Sequence, residues 1–198
     1  MHSEEKALAK RRLIIETAVM LFIEKGFHQT SIRDIANKAG ISLGNLYNHF
    51  AGKSELIAAI ALLEAEEQII LEATLTASSK PQKALDKFIN QYIAIHAQPE
   101  DAAISAEILS EAIRNPSIAK GFAENQNRLI VKLARLLTTG QNLGCLDFNN
   151  DVLLTAQSII DILESASMKS IFYSKDEKKR YLKHIKELVF NIVGVKGS

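Results

Sequence analysis

Along nearly the whole chain, apolar residues recur every three to four positions, and little interrupts them: the 198 residues include only three prolines and nine glycines. That spacing lines apolar side chains along one stripe of an α-helix. No useful length of sequence alternates with a period of two, and no segment repeats at a fixed period. The chain is therefore predicted to be all-α. Breaks at Gly26, Gly40, Gly52, "TASSKP" (76–81), "AQPED" (97–101), "RNPS" (114–117) and "TGQNLGCLDFNN" (139–150) divide it into about nine helices. They are expected near 4–25, 31–40, 42–50, 54–77, after Pro81, 102–114, 117–139, 150–172 and 176–194.

Composition narrows the function classes. A 47% hydrophobic content supports a substantial core. The longest apolar runs, such as "LIAAIALL" (56–63), fall short of the roughly 20 residues a membrane span needs, so no membrane partner is expected. The start, "MHSEEKALAKRR", lacks the apolar core of a secretion signal. Cys145 is the single cysteine, which excludes an intrachain disulfide and fits a cytoplasmic location. Residues 1–53 carry eight Lys/Arg against five acids, a net of +3, leaving −2 for the remainder. The N-terminal part thus leans toward a polyanionic partner.

Residues 31–50 carry the most specific pattern. Ser31 and Asp34 match a capping box at the start of the second helix. Ala36 is small enough for a close helix crossing, Gly40 can take the positive φ of a tight turn, and Leu46 can pin the next helix. Ile32, Ile35, Ile41, Leu46 and Phe50 would build a mini-core with Phe22, and Leu43 would extend its edge. Small, glycine, large-apolar at this spacing is a helix-turn-helix. On a helical wheel of the third helix, Gly44, Asn45 and Asn48 point away from that core, with His49 beside them and Tyr47 at the edge. Asparagine can pair bidentately with adenine in the major groove, and histidine can reach a base or a phosphate. Thr30, Ser31, Arg33, Ser42, Tyr47 and Lys53 are suitable phosphate donors. Gly44 costs about 1 kcal/mol of helix propensity relative to alanine, which a close approach to DNA would explain.

The segment "FIEKGFHQTSIRDIANKAGISLGNLYNHFAGKSELI" (22–57) resembles the DNA-binding domain of the TetR family of transcriptional regulators. The matching elements include Gly26-Phe27, Thr30-Ser31-Ile32, Ala39-Gly40-Ile41-Ser42, Leu46-Tyr47, His49-Phe50 and Lys53. "EILSEAIRNPSIAKGF" (107–122) is more weakly similar to the regulatory domains of betaine-responsive and multidrug-efflux repressors in that family. The resemblance implies a homodimer on a palindromic double-stranded operator, one recognition helix per half-site. It also implies a C-terminal domain that binds a small-molecule effector and releases the DNA. The domains are expected at 1–53 (helix-turn-helix about 31–50) and 54–198. A DNA-bound interaction protein without a ligand is the alternative.

The last two helices are expected to pair with their symmetry mates in a four-helix bundle. Ser158, Ile162 and Ser165 of the eighth helix, and Ile185, Leu188, Val189 and Ile192 of the ninth, are the predicted interface. His96, Gln157 and Asp161 are the polar candidates for an effector pocket, while Glu107 and Glu111 read as a solvated face. The five histidines show no metal-ligand spacing, Cys145 has no partner, and no phosphate-cradling glycine loop occurs. No metal, cofactor or catalytic activity is expected.

Overall fold

The computed structural model describes residues 2–76 and 80–195. Among them are nine helices and no strand: α1 (His2–Lys25), α2 (Ile32–Lys38), α3 (Leu43–Tyr47), α4 (Lys53–Thr74), α5 (Pro81–His96), α6 (Pro99–Arg114), α7 (Pro116–Asn142), α8 (Val152–Ser170) and α9 (Lys175–Ile192). The turn expected at 76–81 lies in part outside the described residues. No described helix is long and apolar enough to cross a membrane.

Two compact units divide the chain. One holds the residues up to Ala65 together with Ala103–Ala123; the other holds Glu66–Ala102 and the chain from Glu124 onward. This partition does not follow the sequence boundary at residue 53, because α4 contributes to two cores. Leu56, Ile57, Ala59 and Ile60 pack into the first with Ile104 and Ile118, whereas Leu71 and Leu75 pack into the second.

In the first unit, Ile14, Ala18, Leu21 and Phe22 of α1 are buried at i, i+4, i+7 and i+8, and Leu13 stands outside that stripe at 45% exposed. Ile35, Leu46 and Phe50 close on Phe22, with Ile32, Ile41 and Leu43 packed at the margin as their spacing predicts. Burying a large apolar side chain is worth about 1.5–3 kcal/mol. Leu46 and Phe50 thereby fix a helix too short to persist alone in water.

In the second unit, Leu85, Phe88, Ile89 and Tyr92 of α5 meet Leu129, Leu133, Leu136 and Leu137 of α7, and Ile159, Ile160 and Leu163 of α8. Ile185 and Val189 of α9 belong to this same core, 8% and 0% exposed. Their assignment to a dimer interface is therefore corrected: they face the core of their own chain, because the α9 stripe packs against α8. Ile162 and Ile192 are half-buried against the same core. Ser158 and Ser165 are exposed on α8, and Leu188 is 38% exposed on α9.

Candidate nucleic-acid interface

The turn between α2 and α3 is built on Gly40, whose φ is +67°, in the left-handed region that costs an L-residue about 1–2 kcal/mol. The Ile41 N–H closes the turn on the Ala36 carbonyl at 3.0 Å. Each short helix carries its own cap. Ser31 and Asp34 form the expected capping box on α2. The Ser42 hydroxyl accepts the Asn45 N–H at 3.2 Å, which leaves its own O–H free to donate.

α3 is shorter than its periodicity predicts, ending at Tyr47 instead of near Phe50. Residues 48–52 turn away so that Phe50 can enter the core, where it is 1% exposed. The outer surface of this element presents Gly44, Tyr47 and Asn48 to solvent, with His49 half-buried beside them and Arg33 exposed on α2. A Cβ added to Gly44 would meet nothing within 4 Å. Among the described residues, nothing requires glycine there.

Several sequence-predicted donors are engaged elsewhere. Thr30 is 1% exposed, and its hydroxyl donates to the carbonyls of Gly26 at 2.9 Å and Leu21 at 3.2 Å. It is a buried staple of the α1–α2 loop, and its assignment as a phosphate donor is withdrawn. Ser31 is exposed, but its O–H and N–H both point to the Asp34 carboxylate, at 2.6 and 2.9 Å. Those bonds, the hydroxyl's first and the backbone N–H's second, hold the Asp34 carboxyl below its ordinary range, so Ser31 is first of all a cap. Lys53 donates from Nζ to the carbonyls of Phe27 at 2.7 Å and His28 at 3.4 Å, and its ammonium lies 4.5 Å from the Phe27 ring centre. It ties the start of α4 to the α1–α2 loop, with one ammonium proton left over. Asn45 does not project freely: its Oδ1 is sealed from solvent and has no hydrogen-bond partner. Asn48 is the exposed amide.

Two groups escaped the sequence reading. Arg11 of α1 donates from Nη1 to the His49 carbonyl at 2.7 Å, 38 residues away, and its guanidinium carbon lies 4.1 Å from the Phe50 ring centre. Glu111 of α6, read as solvated, is 9% exposed. It lies 3.3 Å from both His28 Nε2 and Arg114 Nη1. Local spacing does not announce either role, since Arg11–His49 and Glu111–His28 join positions far apart in the chain.

In the second unit, His96 is half-buried, its Nδ1 3.1 Å from Asp101 and its ring 4.4 Å from that of Tyr92. Gln157 and Asp161, predicted to line a pocket with it, are exposed on the α8 face that also carries Ser158 and Ser165, and that assignment is corrected. The carboxyls that share His96's surroundings are those of Glu67 and Glu164. Solvent reaches both, but protein crowds around them. Burial first, and then the negative charges of Asp101 on Glu67 and of Asp161 on Glu164, push both above the ordinary carboxyl range, with His96 opposing. No group of three or more metal-ligating side chains occurs among the described residues.

A capped α2, a glycine turn and a short α3 with a bare outer face define a helix-turn-helix DNA-binding protein. The sequence profile described as "Bacterial regulatory proteins, tetR family" matches residues 14–60, and that of the "AefR-like transcriptional repressor, C-terminal domain" matches residues 83–189. The chain belongs to the TetR family of transcriptional regulators. The HTH-type transcriptional regulator UidR of Escherichia coli K12 is 26% identical over 160 residues, 80% of each chain. The HTH-type transcriptional repressor KstR2 of Mycobacterium tuberculosis is 45% identical over 49 residues, 25% of this chain and 24% of that one. Among solved structures, a TetR-family regulator from Mesorhizobium loti superposes with a TM-score of 0.77 at 26% identity, covering 94% of this chain and 97% of the other.

Proposed function

We propose that this regulator is a homodimeric repressor that reads a palindromic operator through the exposed side of α3 and leaves it when a small molecule binds the C-terminal domain. Asn48 reads a base edge, with His49 beside it. Gly44 allows the backbone to approach, and Tyr47, Ser42 and Arg33 hold phosphates, with Lys53 adding its remaining proton. Residues 1–53 carry the DNA-reading role and 54–198 the sensing and dimerising roles. The exposed side of α8 and α9, with Ser158, Ile162, Ser165 and Leu188, supplies the dimer contact. Half-buried His96, with Glu67 and Glu164 around it, is where an effector's polar group would be met. The protein works in the cytoplasm without a cofactor and without catalysis.

The observation that carries this reading is a helix with an open, glycine-bearing outer face, standing on a fully packed inner one. Its test is binding of the full chain to the DNA flanking its own gene over a range of salt. Affinity should fall steeply as salt rises, because each neutralised phosphate releases condensed counterions. Tyr47→Ala should weaken binding to every duplex alike, and Asn48→Ala should mainly reduce the preference for the operator. An unchanged operator preference in Asn48→Ala would remove Asn48 from base reading, and salt-independent binding would sink the phosphate assignments.

A further inference from the structure

α3 has five residues, a length at which a helix does not hold itself in water. The Ser42 cap fixes its N-terminal end. Its C-terminal end runs into the turn at 48–52, whose freed backbone groups need partners. Two side chains supply them. Arg11 donates to the His49 carbonyl at 2.7 Å and covers the Phe50 ring at 4.1 Å, and its Nη2 lies 3.8 Å from Glu55 Oε1. The other carboxylate oxygen of Glu55 accepts the Ala51 N–H at 2.7 Å. One guanidinium and one carboxylate thus span three consecutive residues, His49, Phe50 and Ala51, immediately after the reading element.

We propose that Arg11, supported by Glu55, is a positioning residue for base recognition: it sets the angle at which α3 presents Asn48, without touching the DNA. The proposal rests on α3 being the base-reading helix. Three observations carry it. Arg11's contacts are directed inward, with its carbon over the Phe50 ring and a donor nitrogen on the His49 carbonyl. Its side chain is only 32% exposed, unlike an arm extended toward a phosphate. The guanidinium also does two things at once, lying over the Phe50 ring and donating to the His49 carbonyl, through a planar, pre-organised fork that a lysine ammonium lacks. Exposed ion pairs such as Arg11–Glu55 stabilise little, typically under about 1 kcal/mol, so loss of the clamp should leave the unit folded on Leu46 and Phe50. What it should loosen is the register of one loop.

The test compares two duplexes: one selected from a random-sequence pool by the wild-type full chain, and a scrambled duplex of equal length. Both are titrated from about 50 to about 200 mM salt. Arg11→Ala should weaken binding to the selected duplex about ten-fold, the size of one misaligned base contact. Binding to the scrambled duplex should change less than about two-fold, and the salt slope should not change. Arg11→Lys keeps a donor for the His49 carbonyl but loses the stack, and should give an intermediate loss. Glu55→Gln keeps an acceptor for Ala51 but loses the charge, and should give a smaller loss of the same kind. If Arg11→Ala fails to fold, as judged by circular dichroism, the other two variants decide the question by the same ratio.

An unchanged ratio of the two affinities overturns the proposal. So does an equal loss on both duplexes with a shallower salt slope, about one unit per protomer, which would make Arg11 a phosphate ligand. Asn48→Ala in the same titration separates the two ideas. If it leaves the ratio unchanged, the reading of α3 fails; if it lowers the ratio and the Arg11 variants do not, only the clamp fails.

Discussion

Replacing Gly44 with alanine pits stability against DNA binding within one methyl group. Gly44 is not among the positive-φ glycines, and a Cβ there would meet nothing within 4 Å. Alanine is therefore accommodated without strain, and it reduces the entropy lost on folding. A full helix interior would gain about 1 kcal/mol. In the first turn of a five-residue helix about half of that is reasonable, which raises the melting temperature by about 1–2 °C for a domain of this size. On DNA the same methyl must fit between the α3 backbone and the groove. Overpacking of a close contact costs about 1–3 kcal/mol, or about five- to 150-fold in affinity per half-site. The assay is paired: thermal melting of the free protein, and titration of a selected duplex. Gly40→Ala serves as the opposite control, since φ of +67° makes it a folding defect. If Gly44→Ala melts higher and binds as tightly as wild type, close approach at Gly44 is refuted.

Two further outcomes follow from the same geometry. Thr30→Val should lower stability by about 1 kcal/mol, the usual value of a buried hydrogen bond, and leave the salt slope of DNA binding untouched; a lost phosphate contact with unchanged melting would restore Thr30 to the interface. Glu67→Gln and Glu164→Gln should raise the melting temperature at neutral pH. Burial holds their carboxyls above the ordinary carboxyl range in the folded state, so between that range and their raised values the folded state binds more protons than the unfolded, and stability falls as pH rises. The advantage of each glutamine variant should therefore shrink as pH drops toward about 4.5 and vanish below it; a gap that stays constant between neutral pH and about 4.5 would refute the assignment.

Much of the reading element was legible in advance because its signals are local. The capping box of Ser31 and Asp34 spans three residues, and the Gly40 turn is a property of one φ angle. The burial of Ile35 and Leu46 follows from periodicity alone, whereas Phe50 reaches the core through the turn that ends α3. Two assignments show where local signals stop. Thr30 is a phosphate donor by chemical type, but type does not reveal that its hydroxyl is buried and already bonded. Ile185 and Val189 were assigned to a partner because an apolar stripe looks alike whether it meets its own core or a second copy.

The sequence by itself determined nine helices, their main breaks, the glycine turn and the apolar faces, since helix periodicity, capping and turn chemistry act over a few residues. Only the tertiary structure decided which polar groups remain available. Arg11 meets the His49 carbonyl across 38 residues and Lys53 meets the Phe27 carbonyl across 26. The helix that reads is written locally; the angle at which it is held is set by partners that only folding brings within hydrogen-bond distance.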